Sequence, residues 1–167
     1  MSFRERISIV RSGLFKILTV RWTGQVTDGI FQSALASFVL FSPERQANPV
    51  SAAVAFAVVL LPYSIVGPYV GTLLDQYSRQ RIVQISNYVR AVDLLVIALL
   101  LRNGITGFAL TLAVLVAFGI NRLILAGLSA GLPLVVLKEK LVGSNALAVT
   151  GGTIGVVLGG GIGIGLK

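Results

Sequence analysis

Apolar residues along the chain gather into five long runs separated by short polar punctuation, roughly Ile17 to Phe41, Val50 to Leu74, Ile82 to Leu101, Ile105 to Gly131 and Leu141 to Leu166. A helix needs ~20 mostly apolar residues to cross ~30 Å of hydrocarbon, and each run meets or approaches that length. The pattern therefore predicts an all-α integral membrane protein with five transmembrane helices, preceded by a cytoplasmic segment over residues 1–16. The second run carries no charge. Its twelve Val, Leu, Ile and Phe residues each favour insertion by ~0.3 to 0.6 kcal/mol. Between the runs lie turn signals: Ser42-Pro43-Glu44-Arg45 through Asn48-Pro49, Asp75 to Arg81, Arg102-Asn103-Gly104, and Pro133 to Ser144. Pro133 is expected to stop the fourth helix, with Lys138-Glu139-Lys140 forming an interfacial stretch behind it. No link is long enough to hold a separate soluble domain.

Composition agrees with the pattern, since 55% of the residues are apolar, 12% are charged and the mean hydropathy is +0.90. The net charge of +8 does not indicate a nucleic-acid partner, because the basic residues sit between apolar runs rather than on one water-facing surface. They fit a membrane with one negatively charged face. An N-terminus on the cytoplasmic side places Arg4, Arg6, Arg11, Lys16, Arg79, Arg81, Lys138 and Lys140 inside against Arg45 and Arg102 outside, a bias of eight to two. The basic start followed by a long apolar stretch containing Asp28, with no small-x-small cleavage site, reads as a retained first helix and not a removed signal peptide. Five crossings then leave Lys167 outside as a glycine-rich helix ends, an odd count that reads as truncation in the fifth helix.

Cysteine and histidine are absent, which removes disulfides, Cys/His metal sites, thiol nucleophiles and imidazole bases. No pair of carboxylates is placed for joint acid-base work. A membrane enzyme thus lacks its reagents, and no cofactor or metal is expected.

Charges at membrane depth cost ~2.5 to 3.5 kcal/mol each on insertion scales, so those present point to a cavity or a partner. Arg21, Gln25, Asp28 and Gln32 follow i, i+4, i+7, i+11 spacing and share one face of the first helix. Such a stripe implies water or substrate alongside it. Asp28, near the middle of its run, is the first candidate for a substrate-contacting or proton-accepting carboxylate; the other reading is a structural ion pair with an arginine on another helix. Arg122 either pairs with Asp28 across a cavity or snorkels to the cytoplasmic surface. Arg90 and Asp93, three residues apart, are placed to neutralise one another on the third helix. In the fifth run Gly151, Gly155, Gly159 and Gly163 recur at four-residue intervals, a small-xxx-small face that predicts a tightly packed neighbour, with a second half of the protein as one source for it.

The second run closes in Gly71-Thr-Leu-Leu-Asp75-Gln-Tyr-Ser78-Arg79-Gln-Arg81 and the third begins at once. This resembles the signature loop between helices two and three of the major facilitator superfamily (MFS), roughly G-x-x-x-D-(R/K)-x-G-(R/K)-(R/K), with Gln76 in place of a basic residue and Ser78 in place of glycine. The preceding Leu60-Leu-Pro-Tyr-Ser-Ile-Val-Gly-Pro-Tyr resembles the branch that includes siderophore and macrolide exporters. The resemblance implies an N-terminal six-helix bundle of which this chain is the larger part, a central cavity lined by helices one and four, and a latch in which Gly71, Asp75, Arg79 and Arg81 hold one access state. Asn121-Arg122-Leu-Ile-Leu-Ala-Gly127 is loosely similar to the fourth-helix pattern R-x-x-Q-G, without its Gln and with Gly one place late. Physical chemistry gives the loop residues compatible roles: Gly71 permits close approach of a helix, Asp75 is attracted to a helix N-terminus, and the arginines hold a carboxylate or lipid phosphate. The ordinary alternative is a cytoplasmic turn with positive-inside arginines.

The expected function is alternating-access transport of a small molecule, with efflux implied by the branch resembled. The expected partners are membrane lipid, the substrate, and a missing C-terminal half or partner chain, in the inner (plasma) membrane. The competing expectation is a non-transporting scaffold that recruits a partner through the glycine face.

Overall fold

The computed structural model describes residues 3–40, 71–105 and 107–166, with side chains described from Ser12 through Ala36 and beyond Gly71. Four α-helices are described: α1, Phe3–Leu40; α2, Arg79–Arg102; α3, Phe108–Val135; and α4, Leu141–Gly165. A helical stretch over residues 71–76 precedes α2, and a 3-10 turn, Lys138–Lys140, precedes α4. The described residues contain no strand. The second predicted span lies outside them except for 71–74, as do Leu60 to Tyr69 and the 42–49 turn.

Among the described residues, three helical segments are long and apolar enough to cross a membrane: Arg79–Arg102, Phe108–Val135 and Lys138–Gly165. These correspond to the third, fourth and fifth predicted runs. α1 is absent from that set because Arg21, Gln25, Asp28 and Gln32, with Thr19, Thr23 and Thr27, dilute its apolar character. At ~1.5 Å per residue its 38 residues span about 57 Å, well beyond a ~30 Å core. Helix already begins at Phe3, within the predicted N-terminal segment, because charge does not interrupt a helix and residues 3–16 contain no proline.

α2 ends where the turn signal predicts. Gly104 takes φ 67°, its N–H donates to the Leu101 carbonyl at 3.1 Å, and the Ile105 N–H donates to the Leu100 carbonyl at 2.9 Å. This pair of bonds is the Schellman arrangement, which needs a left-handed residue and so favours glycine. The expectation that Pro133 stops the fourth helix is corrected: α3 passes through Pro133 and ends at Val135. Proline removes one backbone donor, and in an apolar helix that single loss is tolerated for a further half-turn.

The chain falls into two compact units, one of Met1–Ala47 with Gly131–Lys167 and one of Asn48–Ala130. In the first, α4 lies along α1, and the last turns of α3 meet α1 at Gly13 and Ile17. A Cβ added at Gly13 would stand 3.1 Å from Val135 Cβ, and one at Gly131 would stand 3.7 Å from Ile17 Cδ1. In the second unit, α2 buries Ile82, Ser86, Arg90 and Ile97, while α3 buries Leu110, Ala113, Val114, Ala117, Ile124 and Leu128. Val83 and Leu74 close on the bare Gly127 of α3.

Candidate functional site

The first unit is organised by a seam between α1 and α4. Three α1 carbonyls one turn apart, those of Trp22, Val26 and Ile30, face Gly155, Gly159 and Gly163 in turn. In the other direction Gly29 of α1 faces the Val156 carbonyl and the Gly160 nitrogen. A Cβ at Gly159 would overlap the Val26 carbonyl oxygen, and one at Gly163 would overlap the Ser33 hydroxyl. Only hydrogen fits at these points, which lets the helices approach close enough for Cα–H to carbonyl contacts. Gly151 carries the Trp22 indole on its bare face, and Trp22 Nε1 is buried without a hydrogen-bond partner. The tight neighbour predicted from the glycine spacing is therefore the chain's own first helix.

At ~100° per residue, the polar stripe of α1 lies about a third of a turn round from this seam. Asp28 is 4% exposed. Gln25 donates from Nε2 to Asp28 Oδ2 at 2.9 Å, satisfying part of the acceptor capacity of a buried carboxyl. Arg21 and Gln25 are half-buried, and both lie against Gly152 of α4. Gln32 is exposed, so three of the four stripe residues are gathered and the fourth is not. On the exposed side of α1, Thr19, Thr23 and Thr27 each donate a hydroxyl to the carbonyl four residues earlier, at 2.9, 2.7 and 3.0 Å. These hydroxyls are satisfied within the helix, which lowers the cost of presenting them to lipid.

Arg122 is exposed on α3 and belongs to the other unit from Asp28. On α2, Arg90 is buried, whereas Asp93 Oδ2 is enclosed with no hydrogen-bond partner. The loop residues are arranged around a sharp turn. Tyr77 N–H donates to the Leu73 carbonyl at 3.1 Å, Ser78 is extended, and Ile82 N–H donates to the Ser78 carbonyl at 3.1 Å as α2 begins. Asp75 and Arg81 are exposed, and Arg79 Nε is buried without a partner. Gly71, expected to admit a close helix, has no described atom within 4 Å of its Cβ position.

The spacing rule used on the sequence missed Gly152, which falls outside the four-residue series and still shapes the polar row. It also missed the α1 half of the seam. Gly29 and Ser33, themselves four apart, were the available signal for that half. The described residues contain no cluster of three metal-ligating side chains.

Apolar helices of spanning length and a helix with a polar face define a multi-pass helical membrane protein. Over 145 residues, 87% of its length, the chain is 39% identical to two proteins named as uncharacterised MFS-type transporters, one from Mycobacterium bovis and one from Mycobacterium tuberculosis. The chain spans about a third (33%) of the length of these curated relatives. No family model matches the chain. No solved structure matches it either.

Proposed function

We propose that this chain is the N-terminal part of an MFS transporter that exports a small molecule across the plasma membrane by alternating access, with its N-terminus cytoplasmic. The observation that carries the reading is Asp28, 4% exposed and held by Gln25 on a helix with one polar face, in a chain similar to proteins named as MFS-type transporters. A carboxyl kept at membrane depth is costly unless it serves a cavity or a proton path. Arg21, Gln25 and Asp28 form the row that meets substrate or proton, Gln32 extends it, Arg122 is a separate candidate for contact with substrate, and transport is coupled to proton entry through Asp28. The second half of the transport path comes from a continuation of the chain or from a partner chain. Gly71, Asp75, Arg79 and Arg81 act as the latch, with the second half supplying what approaches Gly71 and Arg79. The competing scaffold reading needs the glycine face of α4 for a partner, and α1 already covers that face.

The test is transport by the full-length protein in sealed vesicles, with and without an imposed proton gradient, using a radiolabelled macrolide and a siderophore as probes. Gradient-driven movement is expected for the native protein and is expected to be lost in Asp28→Asn. Undiminished gradient-driven movement in that variant would remove Asp28 from the mechanism.

A further inference from the structure

The row Arg21, Gln25, Asp28 does not stand on α1 alone. A Cβ placed at Gly152 of α4 would lie 3.4 Å from Gln25 Cγ, 3.7 Å from Arg21 Nε and 3.8 Å from Gln25 Oε1. These are ordinary van der Waals separations, so one methyl group fits. Anything longer would run into the amide of Gln25 and the stem of the guanidinium. Gly152 itself is buried, so a larger side chain has no free direction in which to turn. The same amide donates to Asp28 Oδ2 at 2.9 Å, so the side chain that packs on the bare face of Gly152 is the one that serves the carboxyl. On the neighbouring turn, Gly155 sets the height of the same side chain, its Cβ position being 3.4 Å from Gln25 Cβ.

We propose that Gly152 is a positioning residue for the polar row: the space left by its missing side chain holds Gln25 against Asp28, so that the size of residue 152 sets how well the carboxyl is hydrogen-bonded. This deepens the reading of the row as transport machinery and rests on it only for its consequence, since the packing and the hydrogen bond exist whatever the row transports. Gly152 contacts neither substrate nor proton on this account. It acts through Gln25.

The readout is the rate at which dicyclohexylcarbodiimide, which attacks protonated carboxyls in apolar surroundings, labels Asp28 in the full-length protein in vesicles, followed by peptide mass. A carboxyl oxygen that loses the amide donor is left open to the reagent. Gln25→Leu is expected to speed labelling about tenfold. Gly152→Ala is expected to match the native rate, Gly152→Val and Gly152→Leu to rise toward the Gln25→Leu rate, and Gly152→Leu with Gln25→Leu to equal Gln25→Leu alone. Gly163→Ala, which disturbs the same pair of helices at Ser33 and Ile30, is expected to leave labelling unchanged, as a general loosening would not. Native-rate labelling in both Gly152→Val and Gly152→Leu overturns the proposal. So does an additive double variant, or a Gln25→Leu variant with the native rate. Transport in the same vesicles separates the two ideas: the expected labelling with undiminished transport by Asp28→Asn rejects the functional reading alone, and the reverse pattern rejects only the role of Gly152.

Discussion

Replacing Gly159 by alanine adds one methyl group at the tightest part of the α1–α4 seam. The new Cβ would overlap the Val26 carbonyl oxygen and stand 2.9 Å from the Val26 carbonyl carbon and 3.1 Å from Ile30 N. All three are backbone atoms and cannot rotate away. Ordinary contact at ~3.4 Å or more therefore requires the helices to part by roughly 1.4 Å at the Val26 oxygen, an overpacking that costs ~1 to 3 kcal/mol. Parting also weakens the Cα–H to carbonyl contacts at Gly155 and Gly163, each worth ~0.5 to 1 kcal/mol. Against this, alanine is the better helix former by ~1 kcal/mol. The steric term wins, and the net loss is about 1 to 3 kcal/mol. Gly161→Ala is the matched comparison, two residues along the same helix with nothing within 4 Å of its Cβ position. There the propensity gain acts alone, so the variant is neutral or more stable by ~0.5 to 1 kcal/mol. Reversible unfolding of the two variants in mixed micelles of mild detergent and sodium dodecyl sulfate measures the difference. Equal stabilities, or a Gly159→Ala variant as stable as the native protein, would refute the seam.

Two further outcomes follow from the other unit and from the chain's orientation. At Gly127 the nearest obstacle to a Cβ is Val83 Cγ2 at 2.8 Å, the end of a side chain that can turn; Gly127→Ala is expected to cost less than about 1 kcal/mol and Gly127→Leu ~1 to 3 kcal/mol in the same unfolding assay, and equal costs would show that no packing limit exists there. Accessibility reporters placed at residue 1 and in the Asp75 turn are expected to report the cytoplasmic side in both cases, and opposite sides would reject the proposed topology.

Element positions were largely legible because lipid imposes a simple rule on sequence. Predicted spans of 82–101 and 141–166 became Arg79–Arg102 and Leu141–Gly165, with Gly104 marking the end of α2 as its left-handed conformation demands. The rule fails where a helix is set by something other than apolarity. Residues 3–16 are helical although charged, and α3 continues through Pro133, since one missing donor does not outweigh the bonds on either side of it. Glycine intervals gave a face but not its occupant, because any helix with small residues and regularly spaced carbonyls fits such a groove. The choice of α1 depends on Trp22, Val26, Gly29, Ile30 and Ser33 acting together, and that combination is visible only once the two helices lie side by side.

Seam and polar row are therefore coupled through the rotation of α1. The carbonyls of Trp22, Val26 and Ile30 lock against Gly155, Gly159 and Gly163, which fixes the azimuth of α1 relative to α4. Once that azimuth is fixed, so is the direction of the row Arg21, Gln25 and Asp28, about a third of a turn away. Rotation by one residue, ~100°, would take Gln25 from its place against Gly152 and Gly155. The glycines thus do more than join two helices: each of the three carbonyls has a bare position opposite it, so the packing sets the azimuth of α1 as well as its distance from α4. Substitutions that part the two helices without turning α1, as Gly163→Ala does at one end of the seam, are expected to leave the row in place, whereas substitutions that turn α1 are expected to disturb it in proportion to the turn and not to their distance from the carboxyl.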